Sequence, residues 1–187
     1  MARAALAMVH AAALAPRDQL DLLIGLGQAL YFGGSYGAAA ELFDTALSRG
    51  TVLTGGDRLR LLDWWATAID RNAQALAVDR RSTILQRALS RMEDELRQDP
   101  GNPVANYWLA AGSRDIGDLD RAWYAAVAAW VRAPLRPATA VALRTDIDRF
   151  VAEALIPDRA RRRPARDQAS AADELRAEWS SVKADWK

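Results

Sequence analysis

The chain has 187 residues, of which 51% are hydrophobic, with no cysteine and a single histidine, His10. The absence of cysteine excludes disulfides, thiolate nucleophiles and zinc–cysteine sites, and a single histidine excludes a His-based metal cluster. The net charge of +1 gives no overall attraction to nucleic acid or to anionic membranes. Alanine is the commonest residue and β-branched residues are sparse, which favours helix.

The N-terminal segment "MARAALAMVHAAALAP" has two interpretations. Its basic Arg3, apolar run and small-x-small end at Ala13 to Ala15 are typical of a signal peptide. The run is short, however, His10 interrupts it and Pro16 follows it, which favours a first helix packed onto the next one. We therefore favour a cytoplasmic protein, with an exported or periplasmic one as the alternative if residues 1–15 are a signal remnant. No apolar run is long enough for a transmembrane helix.

Beyond this segment, apolar residues recur with helical spacing and no strand alternation is present. The pattern predicts eight helices, joined mostly by short turns that make neighbouring helices antiparallel. Glycines and prolines between the apolar runs mark the ends of these helices. The predicted helices cover about residues 18–32, 36–49, 57–73, 80–98, 103–115, 119–133, 138–155 and 170–187.

The C-terminal part divides at "PDRARRRPARDQ", a basic stretch interrupted by Pro157 and Pro164. We interpret residues 157–169 as an Arg/Pro-rich linker. The last helix, over residues 170–187, carries a clean apolar stripe. The members of that stripe are Ala172, Leu175, Trp179, Val182 and Trp186.

Small and apolar residues stand at fixed places in the helix pairs. The first pair has Leu23, Leu26, Gly27, Leu30, Gly34, Tyr36, Ala39, Phe43 and Ala46 at these places. A later pair has Leu109, Ala110, Gly117, Leu119, Ala122, Ala126, Ala129 and Pro134. A divergent middle pair has Leu62, Trp65, Ala66, Ile69, Ala88 and Met92. This arrangement resembles the tetratricopeptide repeat (TPR), a helix–turn–helix unit of about 34 residues.

The resemblance implies an all-α, TPR-like αα-hairpin solenoid, a right-handed superhelix, over residues 1–156 with irregular repeats at about 18–50, 57–102 and 103–134. It implies that the first helix of each pair lines a concave groove. The apolar stripe of the C-terminal helix would dock as a cap of the solenoid. The alternatives are that this helix occupies the groove or binds another chain, with Trp179 and Trp186 as a second contact for a partner. The groove residues would be Gln28, Tyr31, Phe32, Arg60, Asp63, Thr67, Asp70, Arg71, Tyr107 and Arg114.

Three further features have a structural and a functional interpretation. The glycines at 25, 27, 33 and 34 fit helix packing and a turn better than a phosphate loop, because the first two lie inside a helical pattern. His10 fits a helix surface better than a catalytic base. The tryptophans fit core packing or an exposed surface for a partner. Trp64 and Trp65 differ by about 100° around a helix, so both cannot point into one layer.

These observations predict a non-enzymatic interaction scaffold or adaptor that binds a peptide or helix of a partner protein in the groove. It needs no cofactor and no metal. Two alternatives remain open: a ligand-binding protein or enzyme with a pocket that has no recognisable motif, and binding of an anionic polymer through the arginines at 159–163.

Overall fold

The computed structural model describes residues 2–11, 14–49, 53–133 and 138–186. Within these ranges the chain is helical and contains no strand, which confirms the all-α prediction. The solenoid and its superhelical hand remain predictions. The helices are α1 Ala2–Ala11, α2 Pro16–Phe32, α3 Tyr36–Leu47, α4 Gly55–Gln74, α5 Val78–Gln98, α6 Pro103–Asp115, α7 Leu119–Arg132, α8 Ala138–Phe150, α9 Ile156–Arg161 and α10 Gln168–Asp185.

The chain forms two compact units, Met1–Ala88 and Leu89–Lys187. The boundary lies inside α5, so each unit contains part of that helix. The groove predicted from the resemblance draws eight of its ten residues from the first unit and two from the second.

The first unit is built on the α2–α3 hairpin, and α3 packs against both α2 and α4. Gly34 makes the turn with a φ of +75°, a backbone conformation that glycine adopts without strain. Gly27 lets the two helices approach closely, since a Cβ at this position would lie 2.5 Å from the Phe43 ring. The predicted roles of these two glycines therefore match the structure. Leu20, Leu23, Leu42, Phe43, Leu62 and Trp65 form the centre of this core.

The second unit is built on the α6–α7 hairpin. The side chain of Asn102 accepts a hydrogen bond from the Ala105 backbone N–H and so caps the start of α6. Asp118 caps α7 in the same way, accepting from the Arg121 N–H. Between them Gly117 turns the chain with a φ of +82°. The two capping residues and Gly117 are local sequence signals, and they explain why the position of this turn can be predicted from the sequence.

The segment predicted as an Arg/Pro-rich linker contains regular structure instead. A π-helical turn, Val151–Leu155, joins α8 directly to α9, and a 3₁₀ turn at Ala165–Asp167 leads into α10. Pro157 has no N–H to donate to the preceding turn, and the wider π turn accommodates its place near the start of α9. The helix therefore continues past the proline that the sequence interpretation took as its end.

The C-terminal helix α10 docks within the second unit through Trp179, which is 3% exposed. The Trp179 ring lies 5.5 Å from the Trp130 ring and 6.1 Å from the Trp123 ring, centroid to centroid. Its Nε1–H donates to Asp148 Oδ1 at 2.7 Å, and Lys183 Nζ donates to the same oxygen at 2.7 Å. One buried tryptophan and two bonds to one carboxylate thus help to hold α10 against its own unit, together with the bond that Trp123 Nε1–H donates to Glu178.

Candidate functional site

Four aromatic side chains of the first unit form a cluster that reaches the surface, which we call the aromatic cluster: Tyr31, Phe32, Tyr36 and Trp64. The Tyr31 ring lies 5.7 Å from Phe32, 5.2 Å from Tyr36 and 5.1 Å from Trp64, centroid to centroid. The Phe32 and Trp64 rings are 5.8 Å apart. All four pairs meet edge to face, the arrangement that aromatic rings prefer. The cluster is therefore ordered by its own contacts.

Phe32 is the exposed member of this cluster, with 77% of its surface open to solvent. It lies in the last turn of α2, and its neighbours Tyr31 and Trp64 are half-buried. A large aromatic side chain held in place by other rings loses little conformational freedom when it binds, which is typical of residues that dominate protein interfaces.

The two adjacent tryptophans of α4 separate as their helical offset requires. Trp65 is 1% exposed and belongs to the core, whereas Trp64 is half-buried and belongs to the aromatic cluster. The Trp64 ring also lies 6.0 Å from the Phe43 ring of α3. Trp64 thus connects the interior of the first unit to its exposed aromatic surface.

A cleft of about 280 Å³ opens next to the cluster, between α2 and α4. We call it the α2–α4 cleft. Trp64 belongs to both features, and the leucines at 20 and 61 that line the cleft are buried. Its lining consists of Arg17, Leu20, Asp21, Ile24, Gln28, Leu53, Asp57, Arg60, Leu61 and Trp64.

The charged residues of this cleft pair with one another. Arg17 lies 3.2 Å from Asp21 and 3.6 Å from Asp57, and Arg60 lies 2.5 Å from Asp57. Asp57 Oδ2 also accepts a hydrogen bond from the Thr54 hydroxyl at 2.8 Å. Two hydrogen bonds hold the pKa of Asp57 below its ordinary value. The bond from Thr54 has the larger effect, and the bond from Arg60 has the next largest. The charged rim is therefore already neutralised within the chain.

Four residues of the predicted groove follow along α4 and do not line this cleft. The Thr67 hydroxyl donates to the Asp63 carbonyl at 2.8 Å, and Gln74 donates to Asp70 at 2.6 Å. Arg71 is exposed. The structure thus brings Gln28, Tyr31, Phe32 and Arg60 together around Trp64 and leaves these four outside the group.

The two groove residues predicted in the second unit make contacts inside that unit. The Tyr107 ring lies 6.0 Å from the Phe150 ring, centroid to centroid. Arg114 Nε donates to Asp158 Oδ2 at 2.6 Å. Tyr107 and Arg114 therefore help to hold α6 against the chain that runs from α8 to α9.

The two tryptophans predicted as a second contact for a partner, Trp179 and Trp186, differ in their exposure. Trp179 is buried within the second unit, so packing of α10 already uses the surface that was expected to meet a partner. Trp186 is 56% exposed. Only Trp186 of this pair presents its ring to solvent.

Comparison of the chain with protein-family models, with curated proteins and with solved structures gives no match.

Further observations concern metals and membranes. Within the described ranges, no group of three or more histidine, aspartate or glutamate side chains is arranged so that it could hold a metal ion. None of the helices described is both long and apolar enough to pass through a bilayer.

A second cleft, of about 390 Å³, contains arginines from the predicted linker. Its lining consists of Asp120, Arg159, Arg162, Arg163, Ala171, Glu174, Leu175 and Glu178. Arg159 pairs with Asp120 at 2.9 Å and lies over the Trp123 ring, and Arg162 donates to the Gly117 carbonyl. Three arginines thus face three carboxylates, so the cleft has no surplus positive charge for an anionic polymer.

The sequence interpretation did not name most of the residues that line the α2–α4 cleft, among them Trp64, Leu20 and Ile24. The sequence did contain a signal for Leu20 and Ile24. The two residues lie four positions apart, on the face of α2 that also carries Gln28. For Trp64 the signal was its offset from Trp65, which showed that one of the two leaves the core but not where it points.

Proposed function

We propose that the chain is a non-enzymatic interaction scaffold or adaptor with TPR-like helix pairs. It binds a peptide or helix of a partner protein on the aromatic cluster and the adjoining α2–α4 cleft. The observation that carries this proposal is Phe32, an exposed aromatic ring held by Tyr31 and Trp64 at the edge of a cleft. Relative to the groove expected from the resemblance, the proposed site is confined to the first unit.

The size and charge of the cleft support a protein side chain as its occupant. Its volume of about 280 Å³ lies below the range of about 300–1,000 Å³ that holds drug-sized ligands. Its carboxylate Asp57 has a lowered pKa and is bonded to Thr54 and Arg60, which makes it a poor general base at neutral pH. These properties favour a binding surface over the alternative of an enzyme pocket.

The proposal is tested by photo-crosslinking in cells of the source organism. A benzoylphenylalanine replaces Phe32 in one variant and Tyr124 in the other. Tyr124 is 74% exposed and lies in the second unit, so it is a matched exposed aromatic control. We expect a discrete protein adduct from position 32 that position 124 does not give. The same adducts from both positions, or none from position 32, would overturn the proposal.

A further inference from the structure

We propose that α10 is an autoinhibitory strap. It covers a surface of the second unit that receives an acidic helix of a partner protein when the partner displaces α10. We call this the tryptophan–arginine surface, and its residues are Trp123, Trp130, Arg144, Arg159, Arg162 and Arg163. The inference concerns the second unit alone, so it does not depend on the site proposed in the first unit.

Few side chains of α10 are buried. Of its eighteen residues, all within the part of the chain that the structure describes, Trp179 alone is buried, and the 3₁₀ turn before it, Ala165–Asp167, buries none. By comparison, α6 buries seven residues and α7 buries six. An element with few buried apolar side chains opens at a lower free energy than the core does. The strap can therefore leave while the α6–α7 hairpin stays folded.

Release of α10 changes the charge of the second cleft. Its three arginines lie on α9 and in the turn that follows, and Asp120 lies on α7, so these four charges stay with the body of the unit. The other two carboxylates, Glu174 and Glu178, belong to α10 and leave with it. Three arginines then face one carboxylate, and the two unbalanced positive charges attract an acidic ligand.

Release of α10 also uncovers two tryptophan rings that carry arginines. The Trp179 ring lies against Trp123 and Trp130, at 6.1 and 5.5 Å between centroids. The Arg159 guanidinium lies 4.9 Å from the centre of the Trp123 ring. The Arg144 guanidinium lies 4.9 Å from the centre of the Trp130 ring. Tryptophan and arginine dominate protein interfaces, so the uncovered surface has the composition of a protein-binding site.

The side chains of α10 show which ligand chemistry this surface accepts. Glu178 Oε1 accepts a hydrogen bond from Trp123 Nε1–H at 3.0 Å, and the next residue, Trp179, packs on both covered rings. Glu174, one turn earlier, lines the cleft that contains the arginines. A partner helix with two glutamates four positions apart and an aromatic residue after the second repeats these contacts. This occupant favours an acidic helix over a nucleic acid, which would use the same arginines.

The test uses the full chain as wild type, as Trp179→Ala and as Trp186→Ala, a matched control for an exposed tryptophan of the same segment. A double variant, Glu174→Gln with Glu178→Gln, keeps Trp179 and removes only these two charges of the strap. The probes are a labelled synthetic peptide of residues 168–187, the same peptide with these two glutamates changed to glutamine, and a single-stranded oligothymidine. Amide hydrogen exchange compares α10 with the α6–α7 hairpin in the wild type.

We expect α10 of the wild type to exchange about tenfold faster or more than the hairpin, since it opens alone. We expect the acidic peptide to bind Trp179→Ala and the double variant about tenfold more tightly than it binds the wild type or Trp186→Ala, and the neutral peptide to lose this gain. Exchange of α10 only at the rate of the hairpin would overturn the strap. Equal binding of the acidic peptide to all four proteins, or of both peptides to Trp179→Ala, would overturn the acidic ligand. Binding of oligothymidine without the peptide would assign the surface to nucleic acid instead.

Discussion

At the residue scale, the first unit depends on one close approach between α2 and α3. Gly27 lies under the Phe43 ring, and Phe43 is fully buried, so the ring has little room to move away. Gly25, one half-turn earlier, is exposed, and a Cβ there would meet no atom within 4 Å. The same helix thus contains one glycine that packing requires and one that it does not.

Gly27→Ala is therefore expected to destabilise the protein by about 1–3 kcal/mol, the usual cost of overpacking a core. Gly25→Ala is the matched control, and should stabilise it by up to about 1 kcal/mol because alanine favours helix. Thermal unfolding followed by circular dichroism measures both. A melting temperature that rises equally in the two variants would show that Gly27 has no packing role.

Asp148 ties the stability of α10 docking to pH. Burial alone would raise the pKa of its carboxyl, but the bonds from Lys183 and Trp179 outweigh burial and lower it. The native state therefore holds the charged form more tightly than the unfolded state does. The charged carboxylate therefore contributes to the stability of the folded state. This stabilisation is complete above the ordinary Asp pKa of about 3.9, and it is lost as the pH falls through the lower pKa that Asp148 has in the folded state.

We expect acid to loosen α10 in the wild type, and Asp148→Asn to be loosened already at neutral pH and less sensitive to acid through this range. Amide hydrogen exchange of α10 measured from neutral to acid pH checks this. An unchanged acid profile in Asp148→Asn would assign the effect to other carboxylates.

The residue scale also shows what a sequence can predict. The turn role of Gly34 and the packing role of Gly27 follow from local rules, because a positive φ and a missing Cβ are properties of glycine itself. The positions of Trp64 and Tyr107 depend on which helices face each other. The helical offset between Trp64 and Trp65 therefore could not place the Trp64 ring, and the resemblance could not place the Tyr107 ring.

At the scale of elements, α10 buries one large side chain and also bonds to its unit through Glu178 and Lys183. Trp179 is its buried member, whereas Trp186 of the same stripe is 56% exposed. Sequence periodicity predicted an amphipathic helix here and could not distinguish these two tryptophans. The difference arises because only Trp179 meets Trp130 and Asp148.

Trp179→Ala is expected to cost about 3–5 kcal/mol of local stability, as other buried aromatic truncations do, and to increase amide exchange throughout α10. Trp186→Ala should change stability by about 0.5 kcal/mol or less. Exchange measured by mass spectrometry separates the two outcomes. Equal protection of α10 in both variants would mean that other contacts hold the helix.

The path from α8 into α9 is the element that the sequence interpretation placed wrongly. Two prolines and a run of arginines are typical of a linker, yet Arg159 and Arg162 bond to Asp120 and to the Gly117 carbonyl. Those acceptors come from α7 and from the turn before it. Contacts that distant in sequence leave no trace in local composition.

At the scale of the whole molecule, the helical pattern predicted the all-α class because apolar spacing and turn residues agree over most of the chain. The resemblance to the repeat named the α2 residues Gln28, Tyr31 and Phe32 as groove residues, and their part in binding stays a prediction. The sequence could not show that the chain divides within α5 or that Tyr107 and Arg114 serve the second unit. Those outcomes depend on packing between distant segments.

The central claim is that a partner binds through Phe32 on the aromatic cluster. The most direct test is the affinity of the crosslinked partner for the wild type, Phe32→Ala and Tyr124→Ala, measured by titration calorimetry. We predict binding about tenfold weaker or worse for Phe32→Ala, since exposed aromatic side chains of this kind dominate interfaces, and no change for Tyr124→Ala. Equal affinity for the wild type and Phe32→Ala would contradict the claim.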